Sequence, residues 1–321
     1  MSPKAGGPRV GRRPMTVLVS SMSARGRAVR VGPSVVRRLQ EGGWRVEVRV
    51  TTSDDDPGAV AAEAAVRSRC VAALGGDGFI AAVAQGLVGS QAVLVPLPGG
   101  RGNDLCRSIG AGPDPVARAV SLAPLGLAER PWAGPGPRDL GERVRSLDGI
   151  WVEDAQGARR LALGVVSLGL DAWANKLAND SWLRSGPMAY AWGALTTPAH
   201  FHGAGFRARV DGAELDLPGW VFSVSNSGFI GGGVHVVPSS DPFDGVLELF
   251  RVDQVPLHTV LPAVIQVVAQ RNADHPLVHL SSVREVEVLA PEGLPAMADG
   301  DLVGHLPLRV SVAPGVVRVL V

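Results

Sequence analysis

From residue 16 to about residue 120, short apolar runs alternate with stretches whose apolar residues return every three or four positions. TVLVS (16–20) is an apolar run that closes on small polar residues. AVRVGPSVVRRLQEGG (28–43) has helical spacing and a stop at Gly42-Gly43. WRVEVRVT (44–51) alternates apolar and polar positions, as a half-buried strand does. SDDDPGAVAAEAAVRS (53–68) opens on acidic capping residues and Pro57 before an alanine-rich helix. CVAALG (70–75) predicts a buried strand, FIAAVAQGLVG (79–89) a helix and AVLVPLPGG (92–100) a further strand. Strand–helix alternation of this kind implies a parallel sheet covered on both faces.

The texture changes after about residue 125. PLGLAERPWAGPGPRDLGERVRSLDG (124–149) is a connector rich in Pro, Gly and Arg. Alternating strands then dominate: GIWVED, RRLALGVVSLG, FRARVDG, AELDLPGWVFSVSNS, GVLELFRV and VREVEVLA. Helix candidates interrupt them at about 171–200 and 256–271. The pattern predicts a second, mostly antiparallel β domain. The last run, VVRVLV (316–321), could serve either domain.

Composition narrows the function classes. A chain of 321 residues has room for two domains, and a net charge of +1 argues against a nucleic-acid binder. Cys70 and Cys106 form no framework and no metal spacing, so reduced thiols in a cytoplasmic protein are expected. The basic N-terminus leads into an apolar piece too short for a signal peptide. The most apolar later stretch, 255–269, carries His258 and Pro262 and falls short of the ~20 residues that span a bilayer. A soluble protein is the expectation.

Three glycine-rich turns fall at predicted strand ends: SSMSARGR (20–27), GGDG (75–78) and PGGRGND (98–104). In an open α/β sheet, loops beyond the carboxyl ends of strands form the ligand crevice. Glycines there let backbone N–H groups approach a phosphate, and a helix N-terminus adds positive field. None of the turns is a GxxxxGK[ST] or GxGxxG loop. Asp77 would repel a bare phosphate. It makes sense if a cation such as magnesium lies between, if the acid shapes the loop, or if it caps a helix starting near Phe79.

Taken in order, GGDG, PGGRGND, NSGFIGGGVHVVPSSDPFDGVLELF (226–250) and ADGD (298–301) resemble the motifs of the diacylglycerol kinase catalytic-domain family. That family includes bacterial soluble lipid kinases and, more distantly, sphingosine kinases. The resemblance runs from residue 16 to the C-terminus. It implies an α/β two-domain lipid-kinase fold. Residues 1–125 would form a parallel-sheet nucleotide domain related to that of NAD kinases, joined by a returning C-terminal strand, 308–321. Residues 126–307 would form a β-rich lipid-substrate domain. The implied activity is ATP- and Mg2+-dependent phosphorylation of a diacylglycerol- or sphingosine-like hydroxyl.

The resemblance assigns residues one at a time. Ser20, Ser21, Met22, Ser23 and Ala24 match the family's N-P-x-S-G nucleotide loop, of which only Ser23 is kept. Thr52 matches a nucleotide-contacting threonine after the second strand. Gly75, Gly76, Asp77 and Gly78 match the GGDG core, with Asp77 acting through magnesium or fixing its loop. Asn103 and Asp104 match the N-D that closes the next loop. Asp244-Gly245 matches the D-G of a metal loop, where the Asp244 carboxylate and the carbonyls of Asp241 and Val246 would hold a structural magnesium ion. Asp301, in Asp299-Gly300-Asp301, matches the glutamate of D-G-E, the family's proton acceptor.

Departures accompany these matches. Phe79 stands where the family has the threonine of GGDGT, and Arg101 stands where it has the threonine of P-x-G-T-x-N-D. Arg101 could replace the lost hydroxyl by gripping phosphate oxygens bidentately. Asp301 is one methylene shorter than glutamate, and a shortfall of roughly 1 Å could cost about a hundredfold in rate. Two further readings stay open: a lipid- or nucleotide-binding protein on the same scaffold without catalysis, and a kinase of a non-lipid hydroxyl compound. The expected partners are a lipid with a free hydroxyl, transient contact with a membrane surface, and a second copy of the chain. Trp173, Trp182, Trp192, Met188 and Tyr190 read as helix packing that could line an acyl pocket.

Overall fold

The structure, a computed structural model, describes residues 11–128, 140–170, 172, 203–230, 232–256, 259, 266 and 275–321. Both later helix candidates and the tryptophan set lie almost wholly outside these residues. The chain divides into two compact units. The first holds the chain up to Gly100, Ala111–Arg145 and Val317–Val321; the second holds Arg101–Gly110 and Ser146–Val316.

The first unit follows the predicted alternation. β1 (Pro14–Ser20) leads to α1 (Arg27–Glu41), β2 (Arg45–Thr51) to α2 (Pro57–Arg67), and β3 (Cys70–Gly75) to α3 (Asp77–Leu87). After β4 (Val93–Pro98) come two helices in a stretch to which the hydrophobic pattern assigns no element: α4 (Asp104–Ser108), within the second unit, and α5 (Pro115–Leu122). The sheet order is β4-β3-β1-β2, all parallel. Beyond β4, Arg318 and Val319 pair in parallel with Val93 and Leu94.

Local chemistry accounts for these elements. α1 buries Ala28, Gly32, Val35 and Leu39, one stripe at i, i+4, i+7 and i+11, against the sheet. In α2 the Asp56 carboxylate accepts the Gly58 N–H at 2.9 Å and Pro57 occupies the first helical position. α2 and α3 approach so closely that a Cβ on Gly86 would overlap the Gly58 carbonyl. β3 and β4 are buried along their whole length, as strands covered on both faces should be. β2 is less buried than its alternation predicts: Val48 and Val50 keep 47% and 50% of their surface exposed. Among the described residues β2 pairs only with β1, so its valines have neighbours on one side alone. α3 starts at Asp77, with Gly76 as its N-cap, so Asp77 lies inside the first turn rather than capping a helix at Phe79.

The second unit is built from antiparallel pairs. Its strands are β5 (Val144–Asp154), β6 (Arg159–Ala162), β7 (Val165–Gly169), β8 (Ala204–Val210), β9 (Ala213–Ser225), β10 (Leu247–Asp253), β11 (Val278–Val283), β12 (Glu285–Ala290), β13 (Pro295–Ala298), β14 (Asp301–His305) and β15 (Leu308–Leu320). The long β9 pairs with β8 through its first half, and with β7 and β10 on its two edges through its second. Phe206 and Phe222, with ring centroids 5.0 Å apart, anchor its core. The last run serves both units: Leu308–Ser311 pairs antiparallel with β12, and residues 318 and 319 join β4. No helix among the described residues is long and apolar enough to cross a membrane.

Candidate active site

In the first unit, the turns after β1, β3 and β4 interlock. Ser20 Oγ accepts the Ser23 N–H at 3.1 Å, and Ser23 Oγ accepts the Gly76 N–H at 3.0 Å. The Ser21 N–H donates to the Thr51 carbonyl at 3.0 Å. Between these anchors Ala24, Arg25 and Gly26 are all left-handed, with φ of 45°, 55° and 78°. The Gly99 N–H donates to the Gly75 carbonyl at 2.7 Å, and a Cβ on Gly99 would fall 2.9 Å from the Gly75 nitrogen. The Arg27 guanidinium donates to the Gly100 carbonyl at 3.0 Å. The result is side-chain-free backbone, an α3 N-terminus without a side-chain cap and a half-buried arginine within one unit. Those features fit the phosphates of a nucleotide. Arg27 is absent from the sequence-derived set, although it belongs to the same SSMSARGR turn.

Phe79 does not stand apart from this backbone. Its ring folds onto Gly75, where a Cβ would lie 2.8 Å from the ring Cγ. By strand alternation Gly75 shares a face with Val71 and Ala73, opposite the α1-facing Ala72 and Leu74, and the half-buried ring lies against that end of the strand. Thr52 is exposed, and its hydroxyl donates to the Asp55 carboxylate at 2.9 Å. Backbone and hydroxyl hydrogen bonds from Thr52 hold the Asp55 carboxyl below its usual value.

The remaining candidates lie in the second unit. Asn103 is buried and left-handed, φ 57°, at the start of α4. Asp104 accepts the Gly232 N–H at 3.2 Å, and Arg107 lies against Gly233, where a Cβ would fall 3.1 Å from its Cζ. Arg101 is half-buried.

The 241–246 loop is a series of carboxylate-braced turns. Asp241 accepts the Phe243 N–H at 3.1 Å and Asp244 accepts the Val246 N–H at 3.0 Å. Buried Glu248 accepts the Ser240 hydroxyl at 2.7 Å. Burial pushes the Glu248 carboxyl up, against the Ser240 hydrogen bond, and Asp244 and Asp241 push it further. Carboxylate and carbonyl oxygens whose charges repel one another suit a hard cation such as Mg2+. Among the described residues no group of three or more His, Cys, Asp or Glu is arranged around a metal position, so an ion here would depend on carbonyl ligands such as those of Asp241 and Val246.

Asp148 fastens this loop. It is 4% exposed, and its carboxylate accepts the Gly245 N–H at 2.7 Å and the Gly315 N–H at 2.6 Å. Its own N–H donates to the Pro242 carbonyl at 2.9 Å. Asn226 Nδ2 donates to the carbonyls of Asp148 and Leu163 at 3.1 and 2.9 Å. Sequence reasoning missed Asp148. The available signal was an acid set between Leu147 and Gly149-Ile150.

Asp301 opens β14 directly after a two-residue turn. Asp299 and Gly300 have φ of 50° and 88°, the pair of positive values that an Asp-Gly type I′ hairpin requires. The Asp299 carboxylate accepts the N–H groups of Leu163, Gly164 and Val165 at 2.8, 2.9 and 3.1 Å, so it shapes the turn. Asp301 reaches solvent, yet desolvation by the surrounding protein lifts its carboxyl above the ordinary aspartate value, and Arg160 opposes that lift. His235 stacks on Phe229 at 4.4 Å, and burial lowers its pKa, as for a packed imidazole.

Two family models match the chain. Residues 14–128 match the diacylglycerol kinase catalytic domain, and residues 164–321 match the YegS C-terminal NAD kinase beta sandwich-like domain. A diacylglycerol kinase of Mycobacterium tuberculosis (strain H37Rv) is 26% identical over 310 residues, 95% of this chain and 94% of that protein. A "probable lipid kinase YegS-like" protein of Pseudomonas aeruginosa (strain PAO1) is 28% identical over 296 residues, 89% and 88% of the two chains. A solved structure described as a diacylglycerol kinase of Bacillus anthracis superposes with a TM-score of 0.71 at 16% identity over 97% of both chains, a likeness of fold.

Proposed function

The chain belongs to the diacylglycerol kinase catalytic-domain family, and on that premise we propose that it transfers the γ-phosphoryl group of ATP to the hydroxyl of a lipid. The observation that carries this reading is Asp301, an acid displayed beside a turn that the Asp299 carboxylate locks to three backbone N–H groups. ATP supplies the phosphoryl group, and Mg2+ neutralises the charge that develops on its oxygens. The backbone of Gly75, Gly76, Gly78, Gly99 and Gly100, the α3 N-terminus and the Arg27 guanidinium hold the phosphates. Ser20 and Ser23 keep the first turn closed against Gly76. Asp77 would hold the nucleotide's magnesium, and Arg101 would stand in for the hydroxyl its position lacks. Asn103 and Asp104 brace the next loop, and Asp241, Asp244 and Val246 hold a structural ion. Asp301 accepts the proton of the lipid hydroxyl as its oxygen bonds to phosphorus and ADP departs with the electron pair of the cleaved bond. The contact with a membrane surface is transient, as a lipid acceptor requires.

The test is transfer of labelled phosphate from ATP to a panel of lipids, with Asp301→Ala as the control. Product well above the variant's level is expected, and equal product from the two proteins would reject the reading. A binding protein without catalysis is favoured by one observation, the ring of Phe79 where a hydroxyl is expected. Calorimetry separates the two, since tight ATP binding without turnover supports the binding protein.

A further inference from the structure

The hairpin of β5 and β6 carries two adjacent arginines that point to opposite faces, as successive strand residues must. Arg159 lies opposite Glu153, pairs with it at 3.5 Å and stacks over the Trp151 ring at 4.5 Å. Its charge is thus spent within the hairpin. Arg160 lies opposite Val152, which offers its guanidinium no partner there. The side chain instead reaches the neighbouring hairpin and donates from Nη1 to the Leu302 carbonyl at 3.4 Å. Leu302 follows Asp301 in β14.

We propose that Arg160 is a positioning residue for Asp301: tethered to the Leu302 carbonyl, it sets one cation beside the carboxylate that takes the substrate proton. This inference rests on the kinase reading for its role in turnover, but the Arg160–Asp301 pair can be tested without it. Among the described residues, the other charged groups near Asp301 along the chain do not offer the same service. β13, its hairpin partner, is Pro295–Ala298 and carries no titratable side chain. The Asp299 carboxylate is engaged with three N–H groups of 163–165. His305 sits at the far end of β14. Among the described residues, Arg160 is also the charged group that opposes the upward push of desolvation on the Asp301 carboxyl. A base must be ionised to accept a proton, so a cation at this point widens the pH range in which Asp301 can act.

The test compares the full chain with Arg160→Ala and Arg160→Lys in two measurements. In lipid phosphorylation, the acid limb of the kcat/KM profile moves to higher pH in Arg160→Ala, so at a given pH on that limb its rate falls about threefold further than in the unaltered protein. Arg160→Lys restores most of the limb. A merely structural arginine would lower the rate equally at all pH values, and that result would overturn the proposal. In the second measurement, the Asp301 carboxyl is titrated by carbon-13 NMR, which needs no turnover. Its midpoint rises in Arg160→Ala, and an unmoved midpoint overturns the pair. If the unaltered chain phosphorylates no lipid, the kinase reading fails and the NMR titration alone decides whether Arg160 governs Asp301.

Discussion

The ring of Phe79 lies on the backbone of Gly75, four residues before it, in the space a Cβ on Gly75 would take. The glycine admits the half-buried ring, which a side chain at position 75 would overlap. Gly75→Ala should cost about 1–3 kcal/mol, the usual range for overpacking. Phe79→Ala in the same chain should recover part of that loss. Urea unfolding of the two single variants and the double variant measures the coupling, and strictly additive costs would show that the two residues do not share this space.

Ala24 occupies a left-handed conformation, φ 45° and ψ 46°, between Ser23 and the left-handed Arg25. An L-residue with a Cβ pays roughly 1–2 kcal/mol there, and glycine does not. Set against the extra chain entropy glycine loses on folding, Ala24→Gly should stabilise the protein by about 0.5 kcal/mol. A raised midpoint in urea is the expected result, and a lowered one would place the turn in another conformation.

Asp148 holds Gly245 and Gly315 with one buried carboxylate. Asp148→Ala leaves both N–H groups without it and should cost about 3 kcal/mol, since hydrogen bonds to a charged group contribute about 1.5–3 kcal/mol each and their losses overlap. Asp148→Asn retains one acceptor and should cost less. Hydrogen exchange at Gly245 should quicken in both variants, and unchanged protection in Asp148→Ala would contradict the bracing role.

The raised Asp301 carboxyl makes a pH prediction with a definite sign. Protonated, the acid cannot accept a proton, so activity is present above the raised folded value and is lost as pH falls through it. The acid limb of kcat/KM should therefore lie above the usual aspartate range. Asp301→Asn should remove activity at every pH with little change in melting temperature, because the side chain reaches solvent. Asp301→Glu should keep a measurable rate. A melting temperature several degrees lower in Asp301→Asn would point to a structural carboxylate instead.

Much of the architecture was legible in the chain. Apolar runs located β1, β3 and β4, alternation located β2, and helical spacing and capping located α1 to α3 to within a few residues, because burial writes itself into neighbouring positions. Asp-Gly at 299–300 suits its tight turn because positive φ at two successive residues selects those residue types. Glycines at strand ends marked the phosphate-side backbone for the same local reason. What the chain could not announce were relationships between distant residues. Asp148 meets Gly245 and Gly315 across 97 and 167 positions, and Arg160 meets Leu302 across 142. No local period encodes such a meeting, since it depends on which strands pair and which side chains their pairing leaves without a neighbour. The close approach of Phe79 to Gly75 is of the same kind: it depends on how the first turn of α3 meets the end of β3.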